Sequence, residues 1–145
     1  MNEKPITVAV SGGFDPIHIG HVRYLQEAKK LGDRLVVIIN NDNWLQTKKG
    51  KNFMNEQDRK EILEAFECVD EVIITKHSMN DSDKSVCKAL EKIMPHIFAN
   101  GGDRFADDIP EFIFCNEHNI KMEFNVGHGG KVRSSSELLA DYHAE

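Results

Sequence analysis

The stretch ITVAVSGGFDPIHIGHVRYLQEAKKLGDRLVVII, residues 6–39, decides the fold of this chain. It opens with a short β-branched run at 6–10, which predicts a strand that ends in a Ser-Gly-Gly turn. Apolar residues at helical spacing follow from Ile19 onward, and Gly32 predicts the end of that helix. The continuous apolar run at 35–39 is typical of a strand covered on both faces. This order predicts a right-handed crossover between two parallel strands.

The remainder of the chain repeats the alternation of strands and helices. Further strands are predicted at 72–75, 96–99 and 122–126. Helices are predicted after a cap at Asn55, after a cap at Ser82 or Asp83, at 109–118, and from 134–136 onward. Residues 41–54 are predicted to form a polar, lysine-bearing loop. We therefore predict an α/β fold in one domain, residues 1–145: a doubly wound, Rossmann-like, five-stranded parallel sheet with helices on both faces.

Composition excludes several classes of protein. The chain has 145 residues, 40% of them hydrophobic, and carries 18 Lys+Arg against 24 Asp+Glu for a net charge of −6. This composition excludes a disordered chain, and the acidic balance does not favour nucleic-acid binding. We see neither an apolar run long enough to cross a membrane nor a signal peptide, so the sequence predicts a cytoplasmic protein without membrane or nucleic-acid partners. Cys68, Cys87 and Cys115 match neither a zinc motif nor a disulfide framework.

Polar clusters follow four of the five predicted strands. They lie at 11–21, 40–51, 100–104 and 127–136. Ligands of doubly wound sheets bind beyond the carboxyl ends of the strands. The four clusters are therefore expected to gather at one edge of the sheet.

The segment SGGFDPIHIGH, residues 11–21 and here called the signature segment, carries the clearest chemistry. Gly12 and Gly13 let the backbone turn tightly and approach a ligand. His18 and His21 are three residues apart and share one face of the first helical turn, where Gly20 leaves room for a bulky group. Two imidazoles beside the free N–H groups and positive dipole end of a helix suit a polyphosphate that gains charge in a transition state.

With these residues in view, the chain resembles a known family. The run His18-Ile19-Gly20-His21 resembles the HxGH signature of the nucleotidylyltransferase superfamily. From about Val8 to Leu139 the chain resembles the cytidylyltransferase-like enzymes, which include glycerol-3-phosphate cytidylyltransferase, the adenylyltransferase domain of ADP-heptose synthase and archaeal FAD synthase. The shared segments are GHVRYLQEAKKLGDRLVV, MNEQDRKEIL, VDEVI, NGGD and SSSELL. Class I aminoacyl-tRNA synthetases share HIGH, but this chain lacks room for their tRNA-binding parts.

The resemblance implies roles for individual residues. His18 and His21 are expected to contact the phosphates, and one lysine of the loop, Lys48 or Lys51, is expected to neutralise them. Asp42 and Trp44 are expected on the acceptor side. The nucleotide-binding residues are expected to be Gly12, Gly13, Phe14, Asp15, Gly20, Asn100, Gly102, Asp103, Arg133, Ser134, Ser135 and Ser136. Asp15 could orient a histidine or an acceptor hydroxyl.

Two departures from the cytidylyltransferase pattern leave the base open between cytosine and adenine. Glu67 stands where those enzymes carry a basic residue, and Gly129 stands where they carry an arginine, so Lys131 or Arg133 would have to substitute. The NGGD segment is nearer to the heptose adenylyltransferase form. Overall length and motif order favour CTP slightly over ATP.

The expected activity is transfer of CMP or AMP from CTP or ATP to a phosphorylated sugar or polyol, with release of pyrophosphate. Mg²⁺ is expected to accompany the triphosphate, held by phosphate oxygens and water rather than by protein ligands. The resemblance also implies a homodimer. Two alternatives are an FMN adenylyltransferase, in which Trp44 could line a flavin pocket, and a non-catalytic nucleotide-binding module.

Overall fold

The computed structural model describes residues 5–101 and 109–127. Within these ranges the chain forms strands and helices that alternate along most of its length. The strands are β1 Thr7–Gly12, β2 Arg34–Ile39, β3 Glu71–Ile74, β4 Ile97–Ala99 and β5 Lys121–Glu123. The helices are α1 Ile19–Lys29, α2 Asp42–Lys49, α3 Glu56–Glu64, α4 Cys87–Ile93 and α5 Ile109–Glu117.

The described strands form one parallel sheet in the order β3-β2-β1-β4-β5. Val8 of β1 pairs with Leu35 of β2 on one side and with Ile97 of β4 on the other. From β1, the strands β2 and β3 are added on one side of the sheet and β4 and β5 on the other. The strand order therefore reverses between β1 and β4. The crevice beyond the carboxyl ends of these two strands is the place where folds of this class bind ligands.

Alternating side chains of the strands build two apolar layers. Val8 and Val10 pack with Leu25 of α1 and Leu63 of α3 on one face. Ala9, which points the other way along the same strand, packs with Leu90 of α4 on the opposite face. Helices therefore cover both faces of the sheet, and the predicted doubly wound α/β fold is confirmed.

The prediction of a polar loop over residues 41–54 was wrong, because most of it forms α2. The Asn41 side chain caps this helix by accepting a hydrogen bond from the Trp44 N–H at 2.9 Å. Leu45 is completely buried, and Gly50 ends the helix in the left-handed conformation, with φ of 81°. A helix of two turns with one buried leucine leaves too little apolar periodicity to be recognised from sequence.

The predicted cap of α4 was also wrong. The helix begins at Cys87, and Val86 at the cap position makes no side-chain capping bond. Asp83 instead accepts hydrogen bonds from the backbone N–H and hydroxyl of Ser85, and the Ser85 Oγ accepts one from Cys87 N. These turn contacts delay the start of the helix.

Other boundaries differ by small amounts. Asn55 caps α3 as predicted, with its Oδ1 2.9 Å from Asp58 N. Strand β3 begins and ends one residue earlier than predicted, and β5 ends at Glu123 rather than at 126. The helix predicted from 134–136 lies outside the described residues. None of the helices in the described ranges has the length and hydropathy that crossing a membrane requires.

Candidate functional site

The two histidines of the signature segment form a capping box at the start of α1. The His18 Nδ1 accepts a hydrogen bond from the backbone N–H of Gly20 at 3.1 Å. The His21 Nδ1 accepts one from the backbone N–H of His18, also at 3.1 Å. The rings stack with centroids 3.9 Å apart. The predicted pairing of His18 and His21 on one helical face is therefore present in the structure.

This arrangement sets the tautomer of both rings. A neutral imidazole carries one proton, and the Nδ1 of each ring serves as an acceptor, so the proton lies on Nε2. The Nε2–H of each ring is then a hydrogen-bond donor. The expectation of free backbone N–H groups needs correction, because Gly20 N is capped by His18 and His21 N bonds to His18 O at 2.9 Å. Of the first backbone N–H groups of α1, those of Gly20 and His21 are therefore already bonded within the protein.

The turn between β1 and α1 is tight and closely packed. Phe14 has a positive φ of 53° and is almost completely buried. A Cβ at Gly12 would lie 3.2 Å from the Phe14 ring, and one at Gly13 would lie 3.2 Å from Leu45 Cδ2. A side chain at either position would require the Phe14 ring or Leu45 to shift by a few tenths of an ångström. Phe14 also contacts His21, with ring centroids 4.7 Å apart, and so supports the catalytic candidate from behind the turn.

Asp15 joins the signature segment to the segment between α2 and α3. Its buried carboxylate accepts hydrogen bonds from the backbone N–H groups of Phe53 at 2.6 Å and Met54 at 2.5 Å. Charge-assisted bonds of this kind are short and stronger than neutral ones. In this structure Asp15 therefore orients a neighbouring loop, whereas the sequence suggested that it would orient a histidine or an acceptor hydroxyl.

Arg59 of α3 is the main residue that sequence reasoning missed. It is completely buried, and its guanidinium donates to the carbonyl oxygens of Gly13 at 2.8 Å, Asn40 at 2.6 Å and Met54 at 3.1 Å. It also forms an ion pair with Asp42 at 2.8 Å. One side chain thus ties together the signature segment, the end of β2 and the start of α2. Its place four residues before the buried Leu63, on the apolar face of α3, was a usable signal.

Asp42, expected on the acceptor side, is engaged inside the protein. Besides Arg59, its Oδ1 accepts a hydrogen bond from the Asn52 amide at 3.3 Å. Its backbone N–H donates to Glu56 Oε1 at 2.9 Å. These contacts make Asp42 a residue that holds the start of α2 in place.

A buried network also attaches α2 to the end of β3. The Thr75 hydroxyl accepts from Asn41 N at 3.0 Å and lies 2.8 Å from His77 Nδ1. The His77 Nε2 lies 2.9 Å from the carbonyl oxygen of Ser85, which can only accept, so Nε2 carries the proton of the neutral ring. The Asn41 amide donates to His77 O at 2.9 Å. Helix α2 is therefore held at both sides of its first turn.

Trp44 and the lysines lie on or just after α2. The Trp44 indole N–H donates to the carbonyl oxygen of Lys84 at 2.9 Å. The Lys48 Nζ lies 5.3 Å from the centroid of the Trp44 ring, a distance at which a cation interacts with an aromatic face. Lys49 ends the helix, Lys51 follows it, and all three lysines are exposed.

The nucleotide-binding residues expected after β4 and β5 are described only in part. Asn100 follows β4, and its amide donates to the carbonyl oxygens of Phe98 at 3.3 Å and Glu123 at 3.2 Å. Nearby, the Tyr24 hydroxyl of α1 donates to Ala99 O at 2.5 Å, which fixes α1 against the end of β4. Gly102, Asp103, Arg133, Ser134, Ser135 and Ser136 lie outside the described residues.

Several groups outside the signature segment have shifted pKa values. Desolvation opposes ionisation of Asp70, but hydrogen bonds from Lys29 and the Leu35 N–H outweigh it and hold the pKa of Asp70 below its usual value. Burial raises the pKa of the Cys115 thiol to about 11. Burial also raises the pKa of the Cys68 thiol. In the described residues no three His, Cys, Asp or Glu side chains are grouped to hold a metal ion.

Two surface cavities are present in the described part of the chain. A shallow depression of about 590 Å³ is lined by Val22, Gln26, Lys29, Phe66, Glu67 and Cys68. A cleft of about 140 Å³ lies beside β3 and α4, where His77 and Ser85 are part of its wall. Neither contains a residue that the sequence assigned to catalysis or nucleotide binding.

Comparison with known proteins gives the family. The cytidylyltransferase-like family matches residues 9–129. The chain is 42% identical over 101 residues to FAD synthase of Ferroglobus placidus, covering 70% of this chain and 62% of that protein. It is also 42% identical over 127 residues to the bifunctional protein HldE of Pelobacter propionicus, covering 86% of this chain and 23% of that protein.

A solved structure agrees with these relatives. The lipopolysaccharide core biosynthesis protein of Thermoplasma volcanium superposes with a TM-score of 0.68 at 26% identity, covering 83% of this chain and 94% of that one. The aligned part of this chain spans less than two thirds of the length of the Ferroglobus FAD synthase and about a quarter of the length of the Pelobacter protein. The matched range includes most of β1, the histidine pair and the segment that Arg59 and Asp15 hold, so this chain belongs to the cytidylyltransferase-like family.

Proposed function

We propose that this chain transfers AMP from ATP to FMN, forming FAD and releasing pyrophosphate. The likeness to FAD synthases carries the choice of acceptor: besides the Ferroglobus protein, the FAD synthase of Pyrococcus horikoshii is 37% identical over 107 residues, covering 69% of that protein. The sequence alone favoured a sugar or polyol phosphate, with FMN as the alternative. The relatives support the alternative better.

The histidine pair carries the proposal of nucleotidyl transfer. In the capping box the Nδ1 atom of each ring accepts a backbone N–H, so each neutral ring carries its proton on Nε2, and the two rings stack with centroids 3.9 Å apart. The pair follows β1, beside the point where the strand order reverses. Two adjacent donors at this place suit the oxygens of a triphosphate.

The proposed reaction needs no covalent enzyme intermediate. A phosphate oxygen of FMN attacks the α-phosphorus of ATP, the bond from that phosphorus to the bridging oxygen breaks, and pyrophosphate leaves with the electron pair. Both partners are anions, so the protein must position them and reduce their repulsion. We assign hydrogen bonding of the phosphates to His18 and His21. We assign neutralisation to one ammonium, that of Lys48 or Lys51.

The triphosphate also needs partners beyond the described residues. We propose that Ser134, Ser135, Ser136 and Arg133 hold its β- and γ-phosphates, and that Gly102 and Asp103 lie beside the nucleoside. Mg²⁺ would be bound by phosphate oxygens and water, the usual arrangement for this ion with nucleotides. The homodimer implied by the family remains a prediction, which light scattering would test.

ATP is proposed in place of CTP because FAD contains an adenylyl group. Glu67, which replaces a basic residue of the cytidylyltransferases, is consistent with this choice. A second candidate is adenylyl transfer to a sugar phosphate. It is favoured by the relationship to HldE, which extends over 86% of this chain.

The proposal is tested by incubating the protein with FMN, MgCl₂ and either ATP or CTP, and separating the flavins by chromatography. We expect FAD with ATP and no new flavin product with CTP. A parallel reaction replaces FMN with sugar phosphates and measures pyrophosphate. Pyrophosphate release with a sugar phosphate, but none with FMN, would replace the first candidate by the second.

A further inference from the structure

The segment between α2 and α3, residues 50–55, has an unusually well-anchored backbone. Asp15 accepts from the N–H groups of both Phe53 and Met54 through its two carboxylate oxygens. Arg59 donates to the carbonyl oxygen of Met54 at 3.1 Å. Both anchoring side chains are buried, with Asp15 4% and Arg59 0% exposed. The backbone at Phe53 therefore cannot change its conformation without breaking charge-assisted hydrogen bonds to buried side chains.

A second anchor comes from the side chain of Asn52. Its amide nitrogen lies 3.3 Å from Asp42 Oδ1 and 3.3 Å from Met54 O, and its oxygen accepts from Gln46 at 2.8 Å. The residue before Phe53 is thus fixed to α2, while the residues after it are fixed to Asp15 and α3. The position of Phe53 is set by its neighbours on both sides.

The Phe53 side chain is exposed although its backbone is fixed. At 62% exposure it is the most exposed large hydrophobic side chain in the described part of the molecule. Apolar side chains that are exposed singly are common on protein surfaces. What distinguishes Phe53 is that its backbone is bonded to Asp15 of the signature segment, so an exposed aromatic ring is carried on a fixed backbone next to that segment.

The residues next to Phe53 in the chain and in its backbone contacts suit an aromatic anion as ligand. Asp15, which holds the Phe53 backbone, lies three residues before His18 of the capping box. Lys51, two residues before Phe53, supplies an exposed ammonium. An aromatic side chain and a cation two residues apart suit a molecule that combines a planar ring system with a phosphate.

We propose that Phe53 is a specificity-determining residue on which the planar ring of the acceptor stacks, with the flavin ring of FMN as its ligand. This inference rests on the proposed function, and it adds a binding residue for the acceptor. A planar ring packed on a fixed aromatic side chain gains dispersion and stacking energy without ordering a loop. The residue would therefore favour flavin phosphates over sugar phosphates.

The test measures FMN binding and turnover in the whole chain. Binding is followed by quenching of flavin fluorescence, and turnover by FAD formation with ATP and Mg²⁺. We expect Phe53→Ala to raise the Kd and KM for FMN by about 5- to 30-fold, in the range of aromatic stacking. The KM for ATP should stay within about twofold, because in this proposal the ring binds the acceptor and not the triphosphate. Phe53→Tyr, which keeps the ring, should retain most of the affinity for FMN.

A matched control is Phe112→Ala, since Phe112 is a phenylalanine of α5 that is 45% exposed. Its KM for FMN should be unchanged. If the unsubstituted protein makes no FAD from FMN, the proposed function fails and this inference with it. If it makes FAD but Phe53→Ala leaves the KM for FMN unchanged, only this inference fails. An equal rise in the KM for ATP would also overturn it, because that result would indicate a general loosening of the segment.

Discussion

Replacement of Arg59 by methionine should destabilise the fold by about 3–5 kcal/mol, the cost of removing one partner from a buried ionic cluster. Methionine keeps much of the apolar volume but leaves the carbonyl oxygens of Gly13, Asn40 and Met54 without their donor. Taken singly, each bond from a charged donor is worth about 1.5–3 kcal/mol. These energies do not simply add, because the bonds share one guanidinium. The Asp42 side chain is 30% exposed, so water can replace the hydrogen bond that it loses.

The measurement is urea unfolding followed by circular dichroism at one protein concentration. With a slope of about 2 kcal/mol/M, the midpoint should fall by about 2 M. The control is the same substitution at Arg34, an exposed arginine that pairs with Glu71 on the surface. Such pairs contribute about 0–1 kcal/mol, so Arg34→Met should change the midpoint little. If Arg59→Met costs less than about 1 kcal/mol, or no more than Arg34→Met, the guanidinium does not hold the site together.

Three further outcomes are expected. His21→Ala should lower kcat by about 10²–10³ in a pyrophosphate-release assay while the protein stays folded, and near-normal turnover would remove His21 from the reaction. Of the lysines, either Lys48→Ala or Lys51→Ala should lower turnover severely while the other resembles Lys49→Ala; three silent substitutions would leave only a solvated basic segment. Asp70→Asn should destabilise the protein at neutral pH. Since the folded pKa of Asp70 lies below 3.8, the advantage of aspartate over asparagine is complete above that value and is lost as the pH falls through the folded pKa. Unfolding midpoints of both proteins across the acid range would test this, and a difference that does not shrink in acid would contradict it.

Much of the fold follows from local patterns in the sequence. The continuous apolar runs around Val8 and Val37 predicted buried parallel strands, because a strand covered on both faces needs apolar side chains in both directions. Asn55 was recognised as a helix cap from its residue type and the acidic residues after it. The order of strands and helices then left one common topology. The three-residue spacing of His18 and His21 likewise predicted that both imidazoles share one face of the first helical turn.

The contacts that shape the site depend on residues far apart in the chain, and sequence patterns do not contain them. Asp15 bonds to Phe53 and Met54, 38 and 39 residues away, and Arg59 reaches Gly13 across 46 residues. A carboxylate in a turn or an arginine on a helix has the same local pattern whether it faces solvent or the interior. Only the packing of α3 beneath the turn after β1 decides that these charges are buried, and burial is what makes each of their hydrogen bonds necessary. The sequence by itself therefore determined the five strands, four of the five described helices and the histidine pair, whereas the tertiary structure alone decided which charged groups hold that pair and its neighbouring segment in place.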